Sequence, residues 1–207
     1  MPSKAVGHRR RPTQERAKAT REHILDTAAR LFGQRGIADT STNRIAAEAG
    51  LSIGTVYRYF SDRSVMVEEL LRRLLENIER RITQQVSGLR QKDTERLFAD
   101  ILHTISEELV ENADLVRALV GGVQFYSSGL PEFEPRLRLL VKVALIQILG
   151  PGDDHRYDVM TFVIINTGFA AVLRASAVGV GSDDRREAID TTARMLGCWI
   201  DAEAKSP

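Results

Sequence analysis

Apolar residues between positions 20 and 60 recur at the three-to-four-residue spacing of an α-helix, in three separate groups. The first group contains Ile24, Leu25, Ala28, Leu31 and Phe32. The second group contains Ile45, Ala46 and Ala49, and the third contains Val56 and Phe60. The pattern predicts three helices, of which the first begins at Thr20 and ends at Gly36.

The second and third groups are separated by the short turn Gly50-Leu51-Ser52. A glycine adopts the left-handed conformation that ends a helix without a Cβ penalty, and a serine two residues later accepts the free N–H bonds of the next helix. Ser41 or Thr42 supplies the same cap to the helix before the turn. This arrangement predicts a helix-turn-helix over residues 42–63, whose second helix suits the major groove of DNA.

The rest of the chain continues with longer helical patterns. Val67, Leu70, Leu71, Leu74 and Leu75 begin an apolar stripe that predicts a long helix from Val65 to about Gly88. Further helices are predicted over residues 94–112, 113–126, 136–149, 156–178 and 184–204. Glycine and proline mark the breaks between them, and the sequence shows neither a strand pattern nor a repeat. The prediction is an all-α fold of roughly nine helices.

Charge is divided unevenly along the chain. The whole sequence has a formal net charge of +1, but residues 1–63 hold twelve of the Lys and Arg residues against six Asp and Glu, and residues 64–207 hold seventeen against twenty-two. A basic region joined to an acidic one is the pattern expected when one part of a protein faces phosphates and another does not. An ordinary solvated surface with a basic tail would produce the same asymmetry.

The first nineteen residues have no apolar period, and we interpret them as a flexible basic arm. Its basic residues are Lys4, Arg9, Arg10, Arg11, Arg16 and Lys18. Such an arm either follows DNA phosphates and enters the adjacent minor groove, or is a disordered terminus that only aids solubility.

Several classes of protein are disfavoured by what the sequence contains. The single cysteine, Cys198, forms neither a disulfide framework nor a cysteine zinc cluster, and it suits a reducing cytoplasm. No apolar segment follows the basic N-terminal residues, so a secretory signal is not expected. The longest apolar stretch, Val159 to Val180, contains Arg174, which favours a buried helix that faces a partner over a membrane span.

Motifs for catalysis or cofactor binding are not found in the sequence. It has no phosphate-binding glycine loop, no G-x-S-x-G and no H-E-x-x-H. His103 and Glu107 lie four residues apart on a predicted helix, but two ligands do not make a metal site. We therefore expect no enzyme activity, no cofactor and no metal.

The run from Ile24 to Val67 resembles the N-terminal domain of the TetR (tetracycline repressor) family of bacterial transcription regulators. The resemblance is carried by AARLF-x3-G, the threonine-rich segment before the second helix, IAAEAGLS, GTVYRYF and the basic residue Arg63. It covers about the first third of the chain. Beyond that third, only the length and the helical character of the chain match the family.

The resemblance implies two sets of DNA contacts. Phosphate contacts are implied for Thr42, Ser52, Thr55, Tyr57, Arg58 and Tyr59, and for Arg63, which replaces the usual phosphate-binding Lys. Base contacts are implied for Asn43, Arg44, Ile53 and Gly54. An Arg at position 63 keeps the phosphate contact because its guanidinium offers more donors than an ammonium. On a helical wheel Ile53 lies closer to the apolar side, and the two tyrosines also suit the edge of a small three-helix core.

Small residues on the last two predicted helices indicate close helix packing, which favours a dimer interface there. In the family the last two helices of two subunits usually form a four-helix bundle. The predicted interface residues are Gly168, Ala171, Ala175, Ile189, Ala193, Leu196 and Ile200. The alternative is that these helices only close the core of a monomer. A dimer would present two recognition helices roughly 34 Å apart, one helical turn of DNA.

Aromatic and polar residues in apolar surroundings are candidates for a ligand pocket, which needs an apolar lining with a few polar groups. They are Phe98, His103, Gln124, Phe125, Tyr126, Phe162, Asn166 and Phe169. Aromatic residues at helical spacing also occur in plain cores, so that alternative stays open.

These observations predict three regions: the arm at residues 1–19, a helix-turn-helix domain at 20–66, and a helical domain for ligand binding and dimerisation at 67–207. The function they favour is a cytoplasmic homodimeric repressor that binds a palindromic operator in double-stranded DNA. A small apolar effector would release it, because a ligand that prefers the other conformation lowers the affinity for DNA. The alternative is a ligand-independent, DNA-associated structural or protein-recruiting factor on the same fold.

Overall fold

A computed structural model describes residues 10–86, 93–121, 133–177 and 179–205 of the chain. Within these ranges the chain forms nine α-helices and no strand, which confirms the predicted all-α fold. The helices are α1 (Arg10–Arg35), α2 (Thr42–Glu48), α3 (Ile53–Tyr59), α4 (Arg63–Val86), α5 (Thr94–Glu111), α6 (Ala113–Gly121), α7 (Phe133–Leu149), α8 (Asp154–Ala175) and α9 (Ser182–Ala204).

The start of α1 differs from the prediction. The helix begins at Arg10 and not at Thr20, so residues 10–19 of the predicted flexible arm are helical. The Thr20 hydroxyl donates to the Arg16 carbonyl over 2.9 Å, which places Thr20 inside the helix. Residues 14–19 are exposed and are strong helix formers such as Gln, Glu, Ala and Lys. An apolar stripe marks only the buried part of a helix, and residues 10–19 contain no such stripe. Residues 1–9 of the arm lie outside the described residues.

The chain forms two compact units. The first consists of Met1–Leu70 together with Asp114–Val123, and the second of Leu71–Ala113 together with Gln124–Pro207. The predicted boundary after residue 66 is four residues from the division at Leu70, but the return of α6 to the first unit has no counterpart in the prediction. The first unit is therefore discontinuous in sequence.

The core of the first unit is built from the three apolar groups that the sequence pattern identified. Its fully buried side chains include Ile24, Leu25, Phe32, Ile45, Val56, Phe60 and Met66. α1 packs against α2, and α2 against α3. The Arg21 guanidinium stacks on the Phe60 ring at 5.1 Å and pairs with Glu69 at 2.9 Å. This contact links the N-terminal half of α1 to the end of the helix-turn-helix.

α6 approaches α1 closely at Gly33. A Cβ added at Gly33 would lie 2.3 Å from the Cβ of Asp114, which is far inside a van der Waals contact. The first turn of α6 therefore reaches this position only because residue 33 has no side chain.

The second unit is organised around α9, which packs against α5 and α8, while α7 packs against α8. Its buried side chains include Leu97, Leu102, Leu109, Tyr157, Ile164, Val172, Ile189, Leu196 and Ile200. At Gly197 an added Cβ would lie 2.7 Å from the Cα of Glu95, so α9 and α5 meet with backbone almost against backbone. Close helix packing at small residues thus occurs within this chain.

A buried carboxylate connects α4 to α5. Glu108 is 7% exposed and accepts hydrogen bonds from Asn77 at 3.3 Å and from Arg81 at 3.2 Å. Arg81 also pairs with Glu107 at 2.8 Å. A charge withdrawn from water is tolerated when it is paired and hydrogen-bonded in this way, and removal of one partner is strongly destabilising. The network fixes the position of α4 within the second unit.

α8 is long and apolar enough to cross a membrane by length and composition, with a mean hydropathy of 1.4 over its most apolar window. One such helix among the described residues is weak evidence, because core helices have the same properties. Tyr157, Ile164 and Val172 on this helix are buried in the second unit. Val159, Phe162 and Val163 on its opposite face are exposed, so α8 has one apolar face in the core and one apolar face outside it.

Candidate nucleic-acid interface

The turn between α2 and α3 has the conformation that the sequence predicts. Gly50 has a φ of 66°, in the left-handed region. The Ser52 hydroxyl accepts from the Thr55 backbone N–H over 3.1 Å and bonds to the Thr55 hydroxyl over 2.8 Å, so it caps α3. Ser41 is the cap of α2, because its hydroxyl accepts from the Arg44 N–H over 3.2 Å. These local bonds fix the angle at which α3 leaves the turn.

Arg63 is held by the loop that precedes α2. Its Nη1 donates to the carbonyl oxygens of Ile37, Ala38 and Thr40 over 3.0, 2.7 and 3.4 Å. The guanidinium therefore ties the start of α4 to the entrance of the helix-turn-helix. The phosphate contact of Arg63 stays a prediction, and Nη1 already has this structural role.

Asp62 caps α4 next to Arg63. Its Oδ1 accepts from the backbone N–H groups of Ser64 and Val65 over 2.8 and 3.2 Å. The hydrogen bond from the Ser64 side chain, followed by that from the Val65 backbone, lowers the pKa of Asp62 below its usual value. The cap of α4 is therefore an aspartate that is ionised at neutral pH.

The eleven predicted DNA contacts all lie in the first unit, on α2, the turn, α3 and the start of α4. The exposed residues among them are Asn43, Arg44, Ser52, Gly54, Tyr57, Arg58 and Arg63, and those of intermediate exposure are Thr42, Ile53, Thr55 and Tyr59. Tyr57 is 54% exposed, although it is a large aromatic residue. The Arg58 guanidinium lies 6.0 Å from the Tyr59 ring. Partial burial of Ile53 agrees with its position on the helical wheel.

The predicted dimer interface selects the faces of α8 and α9 that are buried within this chain, and the interface itself stays a prediction. The structure buries nearly all of these residues inside their own chain: Gly168, Ala175, Ile189, Ala193, Leu196 and Ile200 are buried, and only Ala171 is of intermediate exposure. An apolar period identifies the most buried face of a helix, and here that face belongs to the core of the second unit. On the described part of these two helices, the large apolar residues that are exposed are Val159, Phe162 and Val163 on α8 and Met195 on α9.

The predicted pocket residues that the structure describes differ in burial. Phe162 is 52% exposed, and exposed Asn166 donates to the Phe162 carbonyl over 2.8 Å. These two residues lie on the outer face of α8 and not in the core of the second unit, and their place in a pocket stays a prediction. Phe98 is buried and Phe169 is of intermediate exposure. The remaining aromatic and amide candidates, Gln124, Phe125 and Tyr126, lie outside the described residues.

His103 and Glu107 have separate partners, which argues against a shared metal. The His103 Nε2 lies 2.6 Å from Asp190 Oδ1, and Glu107 pairs with Arg81. Within the ranges that the structure describes, no group of three or more potential metal ligands occurs.

Thr161 is a feature of α8 that the sequence analysis missed. It is 2% exposed, and its hydroxyl has no hydrogen-bond partner in the part of the chain described. A threonine within an apolar run gives no sign in the sequence of whether its hydroxyl is paired. An unsatisfied buried hydroxyl is uncommon and requires an explanation.

Comparison with known families finds a match within the first unit. Residues 24–70 match the family described as bacterial regulatory proteins, tetR family. The first unit therefore contains a helix-turn-helix segment that matches the TetR family. The matched residues include all eleven predicted DNA contacts and none of the predicted pocket or dimer residues, so the TetR-family relationship rests on the helix-turn-helix.

Known proteins resemble this chain over different lengths. The HTH-type transcriptional regulator AcrR of Shigella flexneri is 45% identical over 60 residues, which are 29% of this chain and 28% of AcrR. The nucleoid occlusion factor SlmA of Pasteurella multocida (strain Pm70) is 27% identical over 165 residues, which are 75% of this chain and 82% of SlmA.

Solved structures extend the likeness of fold to nearly the whole chain. Thermus thermophilus FadR, a TetR-family transcriptional repressor crystallised in complex with lauroyl-CoA, is similar with a TM-score of 0.57 and 19% identity. The similarity covers 85% of this chain and 92% of FadR. The second unit therefore has the fold found in TetR-family proteins.

Proposed function

We propose that this chain is a cytoplasmic transcriptional regulator that binds a palindromic operator as a homodimer and represses transcription until a small effector releases it. The observation that carries the proposal is the capped helix-turn-helix, which presents Arg44, Arg58 and Tyr57 to solvent in a unit that matches the TetR family. Exposed basic and aromatic groups on a recognition helix suit the negatively charged major groove.

The eleven residues have different roles in this proposal. Asn43, Arg44, Ile53 and Gly54 reach base edges, and the partly buried Ile53 suits a thymine methyl group. Thr42, Ser52, Thr55, Tyr57, Arg58, Tyr59 and Arg63 contact phosphates. Phosphate contacts supply most of the affinity and make it sensitive to salt.

A mobility-shift titration with DNA from the gene's own upstream region tests DNA binding. We expect a specific, salt-sensitive complex at sub-micromolar protein. The double variant Arg58→Ala with Arg63→Ala should lose it, and the matched control Arg186→Ala with Arg194→Ala, which removes two exposed arginines of α9, should keep it. No specific complex with the wild-type chain, or a complex that survives the first double variant, would refute the proposal.

We propose that the effector site lies in the second unit. The unpaired hydroxyl of Thr161 supports this, because a buried polar group without a partner suits a hydrogen bond to a bound ligand. FadR, which shares the fold, is known in complex with lauroyl-CoA, which supports an effector with a large apolar part. Such an effector lowers the affinity for DNA if it prefers a conformation that the operator does not.

Thr161→Val is expected to affect the fold and the ligand response in opposite directions. Valine has nearly the same shape and removes an unsatisfied hydroxyl, so the free energy of unfolding should rise by about 1 kcal/mol. Thermal unfolding of the ligand-free protein measures this change. The same variant should need more effector to release DNA, because the effector loses a hydrogen-bond partner. A lower unfolding temperature would show that the Thr161 hydroxyl is already satisfied.

The likeness to SlmA supports a second candidate function. This relative matches three quarters of the chain, well beyond the helix-turn-helix, and it is a nucleoid occlusion factor. A DNA-associated factor that recruits another protein and responds to no ligand fits the same fold. Mapping the binding sites across the genome distinguishes the two: a few promoter sites and release by a ligand favour the repressor, and many dispersed sites without release favour the recruiting factor.

A further inference from the structure

The surface of the first unit has an open depression between α1 and α2. Only part of its lining consists of predicted DNA contacts. It is lined mainly by polar and charged side chains, among them Arg30, Arg35, Asn43, Arg44 and Glu48. Asn43 and Arg44 are predicted DNA contacts, whereas Arg35, in the last turn of α1, was not assigned any role. The depression is thus continuous with the proposed DNA interface and extends it onto α1.

The charges in this depression are not balanced. Arg30 Nη2 pairs with Glu48 Oε1 at 2.7 Å, so these two charges compensate each other. The side chains of Arg35 and Arg44 form no hydrogen bond or ion pair with any described residue, and both are exposed. Two uncompensated guanidinium groups therefore line one small surface. The planar guanidinium is the side-chain group best suited to bind phosphate oxygens with two donors.

We propose that Arg35 and Arg44 together bind one backbone phosphate of DNA in this depression. The inference rests on the proposed DNA-binding function and deepens it by adding Arg35 to the interface. It also gives Arg44 a phosphate contact beside the base contact of the proposed function. The depression is open, and its charged side chains are exposed. That arrangement suits a phosphate on the surface of a duplex, which remains partly hydrated.

The ionic-strength dependence of DNA binding tests the proposal. Each phosphate contact adds about 0.9 to the slope of log K against log salt concentration, so Arg35→Ala with Arg44→Ala should lower the slope by roughly 1.8 for a dimer with two such sites. Arg35→Ala alone should lower the slope by a smaller amount, because Arg44 keeps part of the contact. Because a phosphate contact carries no base information, affinity for the operator and for unrelated DNA should fall by the same factor. Arg35→Lys keeps the charge and should keep most of the slope.

The matched control is the double variant Arg30→Ala with Glu48→Ala. It removes two charged side chains from the same depression without changing the net charge, so the slope should stay at the wild-type value. Circular dichroism and thermal unfolding check that each variant is folded.

Three results distinguish a failure of this inference from a failure of the proposed function. A wild-type slope and affinity for Arg35→Ala would overturn the inference and leave the proposed function intact. A loss of affinity for the operator alone would also overturn it, since Arg35 would then read a base. No salt-dependent binding by the wild-type chain would refute the proposed function itself.

Discussion

Phe162→Glu is expected to convert the proposed dimer into monomers. Phe162 is 52% exposed on α8 and lies with Val159 and Val163 on the outer apolar face of that helix. In a two-fold interface every residue occurs twice, so one substitution changes both subunits. Loss of a buried Phe side chain costs about 1.5–3 kcal/mol, or roughly 3–6 kcal/mol for the pair. At 1.4 kcal/mol per tenfold change, the dimer dissociation constant should rise by roughly 10² to 10⁴.

Leu139→Glu is the matched control for this change. Leu139 is 64% exposed, lies on α7 and belongs to neither of the last two helices. Both variants introduce one glutamate in place of an exposed apolar side chain, so they alter solubility and net charge equally. Sedimentation velocity over a range of concentrations measures the effect. A Phe162→Glu protein that sediments as the wild type does would show that the outer face of α8 is not the dimer contact.

Operator binding should fall together with dimerisation. Two linked recognition helices bind a palindrome far more tightly than one, because the second half-site is reached at high effective concentration. The first unit is unchanged in Phe162→Glu, and we therefore expect binding to single half-sites to persist at high protein concentration. Loss of half-site binding as well would indicate misfolding and not dissociation.

Gly197→Ala is expected to destabilise the second unit. Two effects oppose each other at this position. The first stabilises the variant, because Ala is favoured over Gly by about 1 kcal/mol inside a helix. Against this, the new Cβ would lie 2.7 Å from the Cα of Glu95 and 2.9 Å from its backbone nitrogen. Backbone atoms cannot rotate away as a side chain does, so α9 and α5 must separate. Overpacking of this kind costs typically 1–3 kcal/mol and occasionally more. We expect the overpacking cost to exceed the helix preference.

Gly168→Ala provides the comparison for Gly197→Ala. A Cβ at Gly168, also inside a helix, would lie 3.1 Å from Leu102 Cδ2, the end of a flexible side chain that can move aside. Thermal unfolding should therefore give a lower midpoint for Gly197→Ala, by roughly 2–8 °C, and a nearly unchanged midpoint for Gly168→Ala. A higher midpoint for Gly197→Ala would show that helix preference outweighs the contact with Glu95.

The helix-turn-helix could be predicted in detail because its determinants are local. Gly50 takes the left-handed conformation and Ser52 caps α3 within a few residues of each other, and both properties are fixed by residue type. The buried face of each helix followed from the spacing of residues such as Ile45 and Val56, which are fully buried. Short-range bonds of this kind do not depend on the rest of the fold.

Other features could not be predicted because they depend on contacts between distant parts of the chain. α8 has apolar residues on both faces, so the sequence could not tell the core face of Ile164 from the outer face of Phe162. The close approach of Asp114 to Gly33 joins residues that are 81 positions apart, and no local pattern records it. The start of α1 at Arg10 could not be predicted for a different reason. An exposed segment of helix needs no apolar residues, so the spacing of apolar residues does not reveal it.

The division of the first unit between two stretches of sequence limits how it could be exchanged among proteins. A single crossover near residue 70 would transfer α1, α2 and α3 but would leave behind the turn of α6 that fills the space beside Gly33. A chimaera made in this way must supply, from the recipient protein, a segment that fits against a glycine without a side chain. Recombination that alters the DNA specificity of such a protein is therefore expected to preserve the sequence around both Gly33 and Asp114, although neither residue contacts DNA in the proposed interface.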